Sequence, residues 1–60
     1  MFEIGKYVLL HTNNEYNNHY GMIDAVLSDA FLIFCVHMPG KRYVVPYAEA
    51  AQCLELVEFS

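Results

Sequence analysis

The pattern of apolar and polar positions divides the chain into short apolar segments separated by turn-forming or polar residues. The longest apolar segment, Ala30–Val36, has seven consecutive apolar side chains and lies between Ser28-Asp29 and Pro39-Gly40. A strand with one face in water alternates apolar and polar residues. Because this segment does not alternate and is rich in aromatic and branched side chains, it predicts a strand that is covered on both faces.

The other segments predict an all-β chain with one helical turn. Four asparagines predict a long loop or an irregular hairpin over the polar segment 11–20. Pro46 is placed to open a short helix over Tyr47–Gln52. Gly21 is a candidate for a β-bulge or for a close approach of two strands. The five strands are predicted within 2–10 and at Gly21–Leu27, Ala30–Met38, Arg42–Val45 and Cys53–Phe59.

Length and charge narrow the classes of function. A chain of 60 residues predicts one domain, spanning 1–60, and a net charge of −4 disfavours binding to nucleic acids. No apolar run approaches about 18 residues, so no membrane span is predicted. The early sequence lacks the apolar run of a signal peptide, which predicts a cytoplasmic protein with Cys35 and Cys53 as reduced thiols.

The small size of the chain favours self-association. Burial of apolar surface is worth about 90 kcal/mol at ~25 cal/mol/Å², and ordering the chain costs about the same amount. The apolar fraction of 57% exceeds the usual ~45–50%. We therefore expect a homo-oligomer that associates through the outward face of the apolar strand. We favour Leu32, Phe34 and Val36 as the outward set. The alternative outward set is Phe31, Ile33 and Cys35.

The order of the predicted elements resembles that of Src-homology-3-like (SH3-like) small barrels over nearly the whole chain. The motifs that carry the resemblance are Phe2-x-x-Gly5-x-x-Val8, Tyr20-Gly21-Met22-Ile23, and Tyr43-Val44-Val45-Pro46 with Leu54. The resemblance implies a five-stranded barrel with a short helical turn before the last strand. Many unrelated functions share this fold, so the resemblance implies no particular activity.

One branch of this fold is the type II dihydrofolate reductases, which assemble as tetramers around a central pore. Phe2–Val8 and Tyr43–Pro46 resemble the F-x-x-G-x-x-V opening and the V-Q-I-Y-P pore strand of that family. Its pore glutamine, isoleucine and tyrosine fall on Tyr43–Val45, and its pore lysine falls near Leu10, so its active-site residues are not matched. Another branch binds proline-rich peptides through grooves that normally include tryptophan, which this chain lacks.

Candidate catalytic and metal-binding residues are few. Cys35 and His37 lie two apart on one strand and share a face, but a metal site needs three or four converging ligands, so no metal is predicted. His11 and His19 flank the polar loop, and acid–base chemistry with Glu15 or Asp24 would need a nucleophile or phosphate-loop motif that the sequence lacks. We predict no catalytic residues and no cofactor, and enzyme activity is the less favoured class.

The composition of the polar loop is typical of protein-binding loops. Tyrosine offers a large contact area, and asparagine offers adaptable hydrogen bonds. Tyr16 and Tyr20 are the expected anchors, and the alternative is a loop that is merely solvated. The predicted partner-binding residues are Asn14, Glu15, Tyr16, Asn17, Asn18, His19 and Tyr20.

The sequence therefore predicts a small acidic protein-interaction module, such as an adaptor, an accessory subunit or an inhibitor that docks on a larger protein. By analogy, compact acidic domains of this kind are common in phage and mobile-element genomes. The alternative is a homo-oligomeric barrel, similar to the dihydrofolate reductases, that binds or converts a small molecule at its subunit interface. Neither nucleic acid nor a membrane is an expected partner.

Overall fold

The computed structural model describes residues 2–58, which form one five-stranded antiparallel sheet and one short helix. The elements are β1 (Tyr7–Leu10), β2 (Tyr20–Val26), β3 (Ala30–Cys35), β4 (Arg42–Pro46), α1 (Tyr47–Cys53) and β5 (Leu54–Val57). The mostly β class and the short helix before the last strand are confirmed. The predicted continuation of the last strand to Phe59 lies outside the described residues.

The sheet is not closed into a barrel. Its strand order is β4-β3-β2-β1-β5, and within residues 2–58 no ladder joins the two edge strands, β4 and β5. The helix α1 connects these edges along the chain and packs against β3, β4 and β5. The structure therefore establishes an antiparallel sheet with a short helix, which is a coarser architecture than the barrel that the resemblance implies.

One face of the sheet forms the core, and burial follows the period of two that a pleated strand imposes. Along β3, Phe31, Ile33 and Cys35 are buried, whereas Leu32 and Phe34 between them are half-buried. The largest fully buried side chains come from four strands, and they are Leu10, Ile23, Ile33, Val8, Val45 and Cys35. The side chains between them along each strand lie on the opposite face of the sheet.

Strands β2 and β3 approach each other closely at Gly21. A Cβ atom at this position would lie 2.6 Å from Cγ2 of Ile33 and 3.0 Å from the carbonyl oxygen of Phe34. The predicted close approach at Gly21 is thus confirmed. The register of this ladder shifts between Ile23 and Ala25, so the irregularity of the strand lies three residues beyond the predicted bulge position.

The apolar strand is shorter than the sequence predicts. β3 ends at Cys35 rather than at Met38, because the backbone N–H of Met38 donates to the Cys35 carbonyl oxygen at 3.0 Å and turns the chain. Val36 therefore lies in the turn beyond the strand. Because the backbone groups of Cys35 and Met38 bond to each other in a tight turn, the strand ends before the run of apolar residues does.

The helix α1 has seven residues and begins directly after Pro46, as the sequence predicts. The fixed φ of proline, −58° here, suits the start of a helix. The backbone N–H of Tyr47, in the first turn, donates to the carbonyl oxygen of Asp29 at 3.0 Å and so ties the helix to the loop before β3. Within residues 2–58, no helix has the length and apolarity required to cross a membrane.

Candidate protein-interaction surfaces

A row of side chains crosses four strands on the side of the sheet that does not form the core. Tyr7 pairs with Met22, and Met22 pairs with Phe34. Phe34 in turn pairs with Arg42. Directly opposite residues in an antiparallel sheet project to the same face, so these four side chains stand next to one another across β1, β2, β3 and β4.

Apolar side chains extend this row in both directions along the strands. Leu9 pairs with Tyr20 on one side of the row, and Leu32 pairs with Val44 on the other. Tyr20 is 48% exposed and Val44 is 51% exposed, and none of the set is buried. We call this set the outer face, and it consists of Tyr7, Leu9, Tyr20, Met22, Leu32, Phe34 and Val44.

One pair of opposite charges borders the outer face. Nε of Arg42 lies 2.9 Å from Oδ2 of Asp24. The Arg42 guanidinium carbon also lies 4.6 Å from the centre of the Phe34 ring, a distance typical of a cation–π contact. The border next to Phe34 is therefore locally neutral, although the chain as a whole is acidic.

The predicted self-association residues lie on or beside the outer face. Leu32 and Phe34 point away from the core, which is the orientation that the sequence favoured, and Val36 is 60% exposed in the turn after β3. The prediction did not include the outer-face residues of the other strands, such as Tyr7 and Val44. The alternation within each strand could have assigned them to a face, but the register that brings them beside Phe34 depends on tertiary structure.

The asparagines of the polar loop hold its backbone in one conformation. Oδ1 of Asn14 accepts hydrogen bonds from Oγ1 of Thr12 at 2.6 Å and from the backbone N–H of Tyr16 at 2.9 Å. Oδ1 of Asn17 accepts one from the backbone N–H of Thr12 at 3.0 Å. Asn18 has a φ of 65°, in the left-handed region that asparagine tolerates better than most residues. Asparagine is therefore frequent here for a local structural reason.

Tyr16 belongs to the core, which corrects its predicted role as an anchor for a partner. Its side chain is only 9% exposed, and its ring stacks on that of Tyr43 with centres 4.3 Å apart and planes inclined by 21°. Nδ2 of Asn14 donates to the Tyr43 hydroxyl at 3.1 Å, which fixes the loop to β4. Tyr16 was predicted to face solvent because it lies in a polar segment, and the sequence does not show that its ring stacks on Tyr43.

The remaining predicted loop residues are distributed over different surroundings. Asn14, Asn17 and Asn18 are exposed. Glu15 is also exposed, and its Oε2 lies 3.9 Å from Nζ of Lys41. The other two predicted residues point elsewhere: His19 contacts the ring of His37, and Tyr20 is part of the outer face. The structure thus brings four of the seven residues, Asn14, Glu15, Asn17 and Asn18, together on the surface of one loop.

An open cleft of about 610 Å³ lies between this loop, Tyr43 and the helix. Its lining is mainly polar and consists of His11, Thr12, Asn13, Asn14, Asn17, Tyr43, Glu49, Gln52 and Cys53. At its border, Nε2 of His11 lies 2.7 Å from Oε1 of Glu55. The sequence indicated His11 as a candidate but paired it with Glu15 or Asp24, because Glu55 lies 44 positions away along the chain.

The two cysteines are free and differ in burial. Cys35 is 1% exposed, and burial raises the pKa of its thiol because a buried thiolate loses hydration. At a given pH a smaller fraction of this thiol is ionised than of an ordinary thiol, which makes it a poorer nucleophile. Cys53 is half-buried at the cleft. In the described part of the chain, no group of three or more His, Cys, Asp and Glu side chains is arranged to hold a metal ion.

No protein-family model matches the chain, and neither the curated proteins nor the solved structures include a match.

Proposed function

We propose that this chain is a small protein-interaction module that assembles through its outer face. The observation that carries the proposal is the exposure of large apolar side chains on neighbouring strands: Tyr7 is 43% exposed, Tyr20 48% and Val44 51%. Four strands about 4.8 Å apart and three rows of side chains give the face an area of roughly 300–400 Å². The largest apolar patch on a monomeric protein is commonly of this size and is often functional.

The occupant that we assign to the outer face is a second copy of the chain. Next to Phe34 its border carries one positive and one negative charge, Arg42 and Asp24, 2.9 Å apart. A border of this kind is complementary to itself, because a two-fold axis can bring Arg42 of one copy towards Asp24 of the other. At the opposite border the carboxylate of Glu55, in β5, stands beside Leu9 and contacts His11. The net charge of −4 opposes contact elsewhere, and Glu55 adds a negative charge at the β5 border, whereas the Arg42–Asp24 pair adds no net charge. A patch of this area predicts a weak, reversible dimer.

The larger protein partner is proposed to bind at the exposed part of the polar loop, around Asn14, Glu15, Asn17 and Asn18. The internal hydrogen bonds of the loop support this assignment, because a loop that is already ordered loses little conformational entropy on binding. Tyr16 is left out of the proposed surface, since its ring is in the core. The acidic balance of the chain favours a partner with a basic surface.

An SH3-like barrel is our proposal for the finer fold. Two observations support it: the helix lies between β4 and β5, and buried side chains from β1 to β4 meet in one core. The proposal of a barrel and the proposal of self-association are independent of each other.

Sedimentation equilibrium over a range of concentrations tests the assembly. The informative variant is Val44→Glu, because Val44 is exposed on the outer face and its loss removes no core packing. Val26→Glu is the matched control: Val26 is 45% exposed on the same sheet, but it pairs with Phe31 on the core-forming side. We expect a monomer–dimer equilibrium for the wild-type chain and for Val26→Glu, and a monomer for Val44→Glu.

Two outcomes contradict the proposal. One is a wild-type chain that remains monomeric up to millimolar concentration. The other is equal loss of the dimer in both glutamate variants, since the effect would then follow from added charge and not from the outer face. Circular dichroism on each variant establishes that the chain is folded, so that dissociation and unfolding are distinguished.

A second candidate function is binding of a small molecule, and the observation that favours it is the cleft between the loop and α1. Its volume of about 610 Å³ is within the usual range for ligand sites. A ligand bound there would shield Cys53 from alkylation. Screening small polar compounds for such protection tests this alternative, and the glutamate variants of the outer face should leave the result unchanged.

A further inference from the structure

Two histidines meet at one end of the β2–β3 hairpin. His19 precedes β2 and His37 follows β3, and their ring centres lie 5.2 Å apart with planes inclined by 56°. The last residues paired in this ladder, at this end, are Gly21 and Cys35. His19 lies two residues before Gly21, and His37 lies two residues after Cys35. The register of the hairpin therefore explains why the two histidines become neighbours.

Backbone hydrogen bonds hold both histidines in place. The N–H of His19 donates to the Tyr16 carbonyl oxygen at 3.2 Å, and the His19 carbonyl oxygen accepts from the N–H of Leu10 at 3.0 Å. On the other side, the bond between Met38 and Cys35 closes the turn that contains His37. The two rings are therefore presented by ordered backbone and not by mobile segments.

The ring nitrogens of this pair are available to a ligand. Among residues 2–58, neither His19 nor His37 forms a side-chain hydrogen bond or an ion pair. The third histidine differs, because Nε2 of His11 lies 2.7 Å from a carboxylate oxygen of Glu55. His37 is exposed and His19 is half-buried, so an ion can reach the pair from solvent.

The spacing of the rings suits a shared metal ion. Histidine nitrogen lies about 2.0–2.1 Å from a bound Zn²⁺, so two imidazoles on one tetrahedral ion have ring centres about 5 Å apart. The observed separation of 5.2 Å is close to this value. We propose that His19 and His37 bind one divalent late transition-metal ion of the Ni²⁺, Cu²⁺ and Zn²⁺ group, each through one ring nitrogen.

The composition of the site sets its selectivity. No third His, Cys, Asp or Glu of the described chain converges on the pair, so the site has fewer protein ligands than the three or four of a structural or catalytic zinc site. Water completes the coordination, and binding should be correspondingly weak and reversible. Imidazole nitrogen prefers Ni²⁺, Cu²⁺ and Zn²⁺ over Mg²⁺ and Ca²⁺, which prefer oxygen ligands. Cu²⁺ should bind most tightly, in accordance with the usual order of stability for such ligands. The net charge of −4 attracts cations of every kind, which makes a competing hard ion a necessary control.

Isothermal titration calorimetry with nickel chloride tests the proposal on the full chain, with the thiols kept reduced. We expect one Ni²⁺ per chain, and no binding heat with magnesium chloride. His19→Asn and His37→Asn should each weaken Ni²⁺ binding by at least about tenfold, since even indirect disturbance of a metal ligand costs this much. His11→Asn and Cys53→Ser are the controls, and both should bind Ni²⁺ like the wild-type chain.

The proposal is overturned if His11→Asn weakens Ni²⁺ binding as much as the two test variants do. It is also overturned if the double variant of His19 and His37 retains the wild-type affinity, or if the wild-type chain does not bind Ni²⁺. His37 is exposed, so His37→Asn should remain folded by circular dichroism even if His19→Asn does not. The site does not depend on the proposed dimer, and Val44→Glu should leave Ni²⁺ binding intact.

Discussion

Replacing Gly21 by alanine should destabilise the fold by forcing β2 and β3 apart. The added methyl group would lie 2.6 Å from Cγ2 of Ile33 and 3.0 Å from the Phe34 carbonyl oxygen. Non-bonded carbon atoms pack at about 3.5–4.0 Å, so the overlap with Ile33 is about 1 Å. Ile33 is fully buried and its strand is paired on both sides, so neither the side chain nor the backbone can retreat easily.

The expected loss of stability is about 2–3 kcal/mol, in the upper part of the range for overpacked sites, because one obstacle is backbone. For a chain of this size, 1 kcal/mol corresponds to about 4–8 °C in Tm, so the midpoint should fall by roughly 10–20 °C. Urea unfolding followed by circular dichroism measures the loss. All variants should be compared at one low protein concentration, because self-association would otherwise add to the apparent stability.

The other two glycines separate the steric effect from the conformational one. An added Cβ at Gly40 meets no atom within 4 Å, and Gly40→Ala should be neutral or stabilising by up to about 1 kcal/mol. Gly5 is equally open, but its φ of 90° lies in the left-handed region, so Gly5→Ala should cost about 1–2 kcal/mol. The expected order of stability loss is therefore Gly21, then Gly5, then Gly40.

A double-mutant cycle identifies Ile33 as the obstacle. In an Ile33→Ala background, the methyl group at position 21 enters the space that Cγ2 vacates, so Gly21→Ala should cost less than it does in the wild-type chain. The expected coupling is about 1–2 kcal/mol. If the two substitutions prove additive, or if Gly40→Ala destabilises the chain as much as Gly21→Ala, the close-packing explanation of Gly21 is refuted.

The remaining predictions concern the loop and the thiols. Tyr16→Ala should lower the free energy of unfolding by about 3–4 kcal/mol, because it empties a core position, whereas Tyr20→Ala should cost less than about 1 kcal/mol. Equal losses in urea unfolding would show that Tyr16 is not a core residue. Burial raises the pKa of Cys35, so at pH 8 its thiolate fraction is below that of an ordinary thiol. Iodoacetamide should therefore alkylate Cys53 first, as read by peptide mass spectrometry, and the reverse order would contradict the burial of Cys35.

Local chemistry explains why the elements could be predicted from the sequence. Turn residues bound β2 and β3, and proline opens α1, so the positions of these elements follow from neighbouring residues. The period of two along β3 placed Phe31 and Leu32 on opposite faces. Gly21 was recognised because glycine in a strand interior usually marks a close approach.

The surfaces were harder to predict because they depend on which strands become neighbours. The outer face requires the register that places Tyr7, Met22 and Phe34 in one row. Tyr16 was misplaced for the same reason, since the stack with Tyr43 joins residues far apart in the chain. Composition alone identified asparagine and tyrosine in the loop, but it could not distinguish a residue that contacts a partner from one that fixes the loop.

The position of β1 between β2 and β5 has a consequence for the order of folding. β1 pairs with β2 on one side and with β5 on the other, and Leu10 faces Leu54 across 44 positions of the chain. Closing a loop of this length costs on the order of 3 kcal/mol in chain entropy, whereas the β2–β3 hairpin closes over a few residues. Folding should therefore begin at the hairpin. An intermediate in which β5 has not yet paired would expose one edge of β1, and chaperone protection would matter most at that stage.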